Sequence, residues 1–128
     1  MTSRASRLAL AVVVLLVCLV GYQPASAQNT VTINLTYNGG TCQQNGAAAA
    51  VNVTTSQSVS YMAANSVPFQ VSFSSSSCPF ATCTITGSTG GQTPSGTVGN
   101  TYYPSSVSIN GQNCNNPGSM GIRINPGP

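Results

Sequence analysis

The chain has 128 residues and a formal charge of +3, carried by Arg4, Arg7 and Arg123, with no Asp, Glu, Lys or His. General acid/base catalysis, activation of a Ser or Thr nucleophile and hard or borderline metal sites all draw on the missing side chains. Most enzymology is therefore excluded. With one arginine beyond residue 7, so is recognition of a nucleic-acid backbone, which needs clustered cations against phosphates.

In chain order, Arg4 and Arg7 precede an unbroken apolar run from Leu8 to Val20, and Ala25-Ser26-Ala27 forms a small-x-small cleavage site. Residues 1–27 read as a signal peptide. A membrane anchor needs about 20 apolar residues, whereas this run is shorter and is followed by Gly21, Gln23 and Pro24. Cys18 follows Val17 rather than the small residue expected before a lipid-bearing cysteine, so no lipid anchor is expected. The mature protein, residues 28–128, is expected to be secreted or periplasmic, bacterial, and free of the membrane after cleavage. It has the size of one domain of roughly 100 residues.

The mature part alternates with period two. Val31, Ile33, Leu35 and Tyr37 alternate with Thr32, Asn34 and Thr36, which predicts a strand with one apolar and one polar face, ended by Asn38-Gly39-Gly40. Ala47 to Ala50 reads as loop or the run-in to a strand. Val51 and Val53, then Val59 and Tyr61, repeat the pattern on either side of a turn at Thr54-Thr55-Ser56-Gln57. Phe69, Val71 and Phe73 make the strongest strand, with Pro68 at its start, where a missing donor does least damage. Ser74 to Ser77 close it. Ile85 marks a short strand, and Gly87 to Gly99 is a Gly/Ser/Thr-rich loop. Val107 and Ile109 lead into Asn110-Gly111, a type I′ hairpin signal. Met120, Ile122 and Ile124 form the last strand, with Arg123 pointing outward. Roughly seven short strands at this spacing predict an all-β fold, a small antiparallel or mixed β-sandwich or barrel.

Leu35 is the only leucine beyond the leader, so the core is small and rich in Val and Ile. Cysteines supply the missing stability. Cys42, Cys78, Cys83 and Cys114 lie in the exported part, an even number in an oxidising compartment, which predicts two disulfides. Their spacing lacks the paired knuckles of a zinc site. Three pairings are open. The favoured one joins Cys78 to Cys83 around Pro79, and Cys42 to Cys114, tying the first strand's exit to the loop before the last strand.

Asn65-Ser66-Val67-Pro68-Phe69-Gln70-Val71-Ser72-Phe73, Cys78-Pro79-Phe80, Tyr102-Tyr103, Val107-Ser108-Ile109-Asn110-Gly111, Asn116-Pro117-Gly118 and Ile122-Arg123-Ile124 together resemble cupredoxin-like secreted bacterial domains. The resemblance runs from about Val51 onward and implies a Greek-key β-sandwich. Blue-copper members of that fold carry a histidine at the position matching Phe69 and a Cys, His and Met cluster before the last strand. Here Phe69 replaces the first histidine, no second exists, and Cys114 and Met120 are what matches the cluster. A blue-copper site requires two imidazoles. A degenerate copper-binding protein is thus the remote alternative, and no cofactor is expected.

Two function classes follow. The first is a non-catalytic structural or self-associating component of the cell surface or extracellular matrix, since near-zero net charge and strands without Lys or Glu leave association unopposed. The second is a binding module for a neutral polar ligand such as a glycan or a surface. Tyr102 and Tyr103 are its candidate contacts, because tyrosine offers an apolar face and a polar tip. Intact mass of the exported protein checks the leader: it should begin at Gln28, and a mature form retaining Leu8 to Val20 would overturn the soluble reading.

Overall fold

A computed structural model describes residues 29–127. The expected signal peptide over 1–27 and the expected N-terminus at Gln28 lie outside the described residues. Among those described, ten strands and two short 3-10 turns form three small sheets around one core.

The alternation of the first strand places β1 at Thr30–Asn38, with Ile33 and Leu35 fully buried and Thr32 and Asn34 exposed. Gly39 and Gly40 take left-handed φ values of 60° and 98°, which glycine reaches at little cost, and the chain returns antiparallel as β2, Thr41–Gln44. β3 (Val51–Thr54) and β4 (Ser58–Ala63) flank a turn held by Gln57, whose Oε1 accepts the Thr54 N–H at 2.8 Å. These neighbours in sequence part company. β4 lies parallel to β1, completing the order β2-β1-β4, while β3 lies parallel to the last strand.

A 3-10 turn at Ala64–Ser66 leads to β5 (Phe69–Ser72), which pairs with β6 (Thr84–Thr86). After the long loop comes β7 (Thr101–Tyr102), then β8 (Ser106–Ile109) and β9 (Gln112–Asn113), giving a second sheet of order β6-β5-β8-β9. Asn110 and Gly111 both have positive φ, 52° and 75°, as the type I′ hairpin requires. β10 (Ile122–Asn125) closes the third sheet, β3-β10-β7. Met120 sits ahead of β10, at the end of the 3-10 turn Pro117–Ser119, and is buried. The strands beyond the expected set are β2, β7 and β9. β2 offers one apolar position, Cys42, and the other two have two residues each, too short for a period to show.

The three inner faces meet in one cluster: Ile33 and Leu35 from the first sheet, Val71, Ile85 and Val107 from the second, Val53, Ile122 and Ile124 from the third. Both disulfides form in the expected pairing, Cys42 with Cys114 and Cys78 with Cys83. Phe73 and Phe80 pack edge to face, 6.0 Å between ring centres. No helix among the described residues is long and apolar enough to cross a membrane.

Neutral amides do the work that charges do elsewhere. Asn116 accepts the Cys42 N–H through Oδ1 and donates Nδ2–H to the Cys42 carbonyl, both at 2.8 Å, so one carboxamide closes the outer edge of β2. Gln44, itself buried, donates to the carbonyls of Ala49 and Gly121. Asn116→Ala would leave both Cys42 backbone groups without partners and should cost about 2–4 kcal/mol, read as a lower urea midpoint. Asn116→Asp loses the donor as well, and should regain part of the loss as pH is lowered through about 4 and the carboxyl protonates.

Candidate functional site

β1 outruns its parallel neighbour. The register ends at Leu35 opposite Ala63, after which β4 gives way to the Ala64–Ser66 turn while β1 continues to Asn38. Asn65 and Ser66 take φ values of 58° and 54°, which swings the chain off the first sheet toward β5. On the far side stands the β8–β9 hairpin of the second sheet. The gap between them is a groove of about 340 Å³. Leu35, Thr36 and Tyr37 line it from β1, Ala64, Asn65 and Val67 from the turn, and Ile109, Asn110 and Gln112 from the hairpin.

Hydrogen-bond parity aims backbone groups into this gap. In β2, Cys42 turns its N–H and C=O away from β1, toward Asn116, so its partner Tyr37 turns its own away from β2. That is the side β4 has vacated. The groove therefore combines an aliphatic floor, one aromatic ring and a set of neutral donors and acceptors. It contains no ionisable group other than the Tyr37 hydroxyl.

A smaller cavity of about 170 Å³ shares Val67 with the groove and is lined by Tyr61, Met62, Ala63, Ser66, Phe69 and Gly87. Tyr61 is 7% exposed and packs in the core, as its strand phase predicts. Its hydroxyl is the buried side-chain polar atom without a hydrogen-bond partner among the described residues. Burial favours the neutral phenol and raises its pKa above the ordinary 10.0. β4 is also open here: Val59 exchanges hydrogen bonds with Gln92 on its outer edge, but the equivalent groups of Tyr61 and Ala63 have no such partner.

The expected ligand tyrosines lie elsewhere. Tyr102 and Tyr103 line neither cavity and, as neighbours on an extended segment, face opposite ways. The Tyr102 hydroxyl accepts the Thr97 N–H at 2.7 Å, a bond that lowers its pKa, and its ring covers Gly96, where a Cβ would stand 2.7 Å away. Tyr103 is 49% exposed with its ring edge over Gly121. Arg123 is exposed and reaches the Thr101 hydroxyl at 3.5 Å. Cys42, Cys114, Cys78 and Cys83 are all bonded in pairs. Phe69, Cys114 and Met120, the positions that match copper ligands, are buried in the common core. Among the described residues no three His, Cys, Asp or Glu side chains gather as metal ligands do.

Asn110 was legible as a hairpin residue, Asn65 only as part of the motif that carries the family resemblance, and Tyr37 only as the end of a strand, while nothing in the sequence singled out Gln112. What joins them is the unequal length of β1 and β4, which sequence periodicity does not report. No family model matches the chain, and no curated protein and no solved structure matches it.

Stability should be level from about pH 4 to 9, where no side chain ordinarily titrates. Because the Tyr61 pKa is raised on folding, its contribution is complete below the unfolded value near 10 and is lost as pH climbs above it. Tyr61→Phe should blunt that alkaline loss and raise stability by about 1 kcal/mol, since it deletes an unpaired buried hydroxyl. Urea midpoints at pH 7 and above pH 10 check both; a loss of stability at pH 7 would mean that the hydroxyl has a partner.

Proposed function

We propose that this chain is a non-catalytic, secreted structural domain that self-associates at the cell surface or in the extracellular matrix, on a cupredoxin-like Greek-key scaffold without a copper site. The reading is carried by the outer edge of β4, open at Tyr61 and Ala63 and without a charge along it. An unpaired strand edge is a template for another strand, and proteins that must stay apart place Lys, Glu or Pro there. This edge carries instead Met62, 53% exposed. Arg123 is the only charged side chain among the described residues, so little repulsion opposes a second copy.

Support for export comes from the disulfides, which persist in oxidising compartments. Support for a non-catalytic role comes from chemistry: the hydroxyls have no imidazole, carboxylate or lysine to activate them.

Sedimentation velocity over a roughly hundredfold range of concentration should show reversible assembly. The assembly should persist at about 1 M salt, where the Debye length is about 3 Å. Met62→Lys places a charge on the open edge without touching the core, and should weaken the assembly by roughly tenfold or more. A monomer throughout, or assembly indifferent to Met62→Lys, would reject this edge as the contact.

A further inference from the structure

We propose that the groove between the end of β1, the Ala64–Ser66 turn and the β8–β9 hairpin binds a neutral oligosaccharide, with a sugar ring against Tyr37 and its hydroxyls on the Asn65, Asn110 and Gln112 carboxamides. This goes beyond the self-association reading and does not depend on it.

Three observations converge. The groove's volume of about 340 Å³ falls in the range of small-molecule sites, about 300–1,000 Å³. Its three carboxamides are exposed and make no hydrogen bond to other described residues, so all their donors and acceptors are open to a ligand. Three unpartnered amides around one gap present both donors and acceptors, which suits vicinal hydroxyls that both give and take hydrogen bonds. Tyr37 adds a ring with an apolar face and its own unpaired N–H and C=O, over a floor of Val67 and Ile109.

The charge balance selects the ligand class. A carboxylate, phosphate or ammonium group would meet no counter-charge among the lining residues and so would gain nothing over its hydration. A neutral polyol exchanges its water bonds for equivalent ones. A peptide strand is the other candidate for unpaired backbone groups. It fits less well, because only Tyr37 presents an edge here and turn residues wall both sides, leaving no run of alternating donors and acceptors.

The conformation of two walls makes a clean test. Asn65 and Asn110 hold φ values of 58° and 52°, which glycine adopts as easily, so Asn→Gly removes the carboxamide and leaves the backbone unstrained. The oxidised protein, at a concentration where it is monomeric, is titrated with neutral hexasaccharides of β-glucan, xylan, chitin and α-glucan while amide chemical shifts are followed. For at least one sugar, shifts should concentrate at Tyr37, Asn65, Asn110 and Gln112. The affinity should be unchanged at about 1 M salt. The variant N65G/Q112A should weaken it by roughly tenfold or more with its melting temperature retained, and N110G should act in the same direction. Shifts centred on Tyr102 and Tyr103, binding unaffected by these variants, binding only to an extended peptide, or no shift with any of the sugars would each overturn the assignment. Failure here leaves the sedimentation result for the β4 edge standing, and the reverse.

Discussion

The Asn116 carboxamide, bonded to both backbone groups of Cys42, shows the constraint under which the whole molecule is built: polar groups must be met without ions. A buried N–H or C=O without a partner costs about 1–3 kcal/mol. With no Lys, Asp or Glu to cover an edge, the chain uses amides and hydroxyls. Gln57 caps Thr54, the Thr89 hydroxyl caps the Thr86 N–H at 3.0 Å, and the backbone of Gln92 covers Val59. The caps from Gln57 and Thr89 are local in sequence, whereas Gln92 reaches Val59 from the long loop and Asn116 spans 74 residues, so these two close the fold as well as an edge.

Where the caps stop, the surface becomes available. The outer edge of β4 is covered at Val59 and bare at Tyr61 and Ala63, and the end of β1 is bare at Tyr37 because β4 has already turned away. Both openings lie beside the same segment, Ala63 to Val67, whose left-handed Asn65 and Ser66 redirect the chain from one sheet to the other. A regular continuation of β4 would have covered Tyr37. The left-handed turn removes that cover. The two surfaces differ in what they offer, a backbone edge in one case and a polar-walled groove in the other.

Much of the fold was legible because period two is a local signal. Ile33 and Leu35, Val71, Ile122 and Ile124 all fall on the buried face that alternation assigns to them, and Asn110-Gly111 turns where the dipeptide demands left-handed φ. The cysteine pairing was favoured, among three open ones, from strand ends for Cys42 and Cys114 and from a local loop for Cys78 and Cys83, and both bridges form. Sheet membership was not legible, because β3 and β4 carry the same pattern and lie either side of one turn, yet each pairs in parallel with a strand distant in sequence. The site was hidden for a related reason. Tyr102 and Tyr103 were singled out for their apolar face and polar tip, whereas the tyrosine of the groove, Tyr37, is half-buried and owes its position to a mismatch in strand lengths.

Those distant pairings also explain why so small a core suffices. The segment from Cys42 to Thr54 is tied to the segment from Cys114 to Asn125 by a disulfide, by Asn116, by Gln44 on Gly121 and by the β3–β10 ladder. Closing a loop of this length, with a separation of 72 residues, costs about 4 kcal/mol of chain entropy in the simple model. That cost is met once, by the covalent bond, and the remaining contacts form between segments already held together. Each then needs to overcome only its local ordering entropy. A fold of short strands, with a single leucine in its core and Arg123 as the one charged side chain among the described residues, can therefore persist while the bridge between Cys42 and Cys114 is intact.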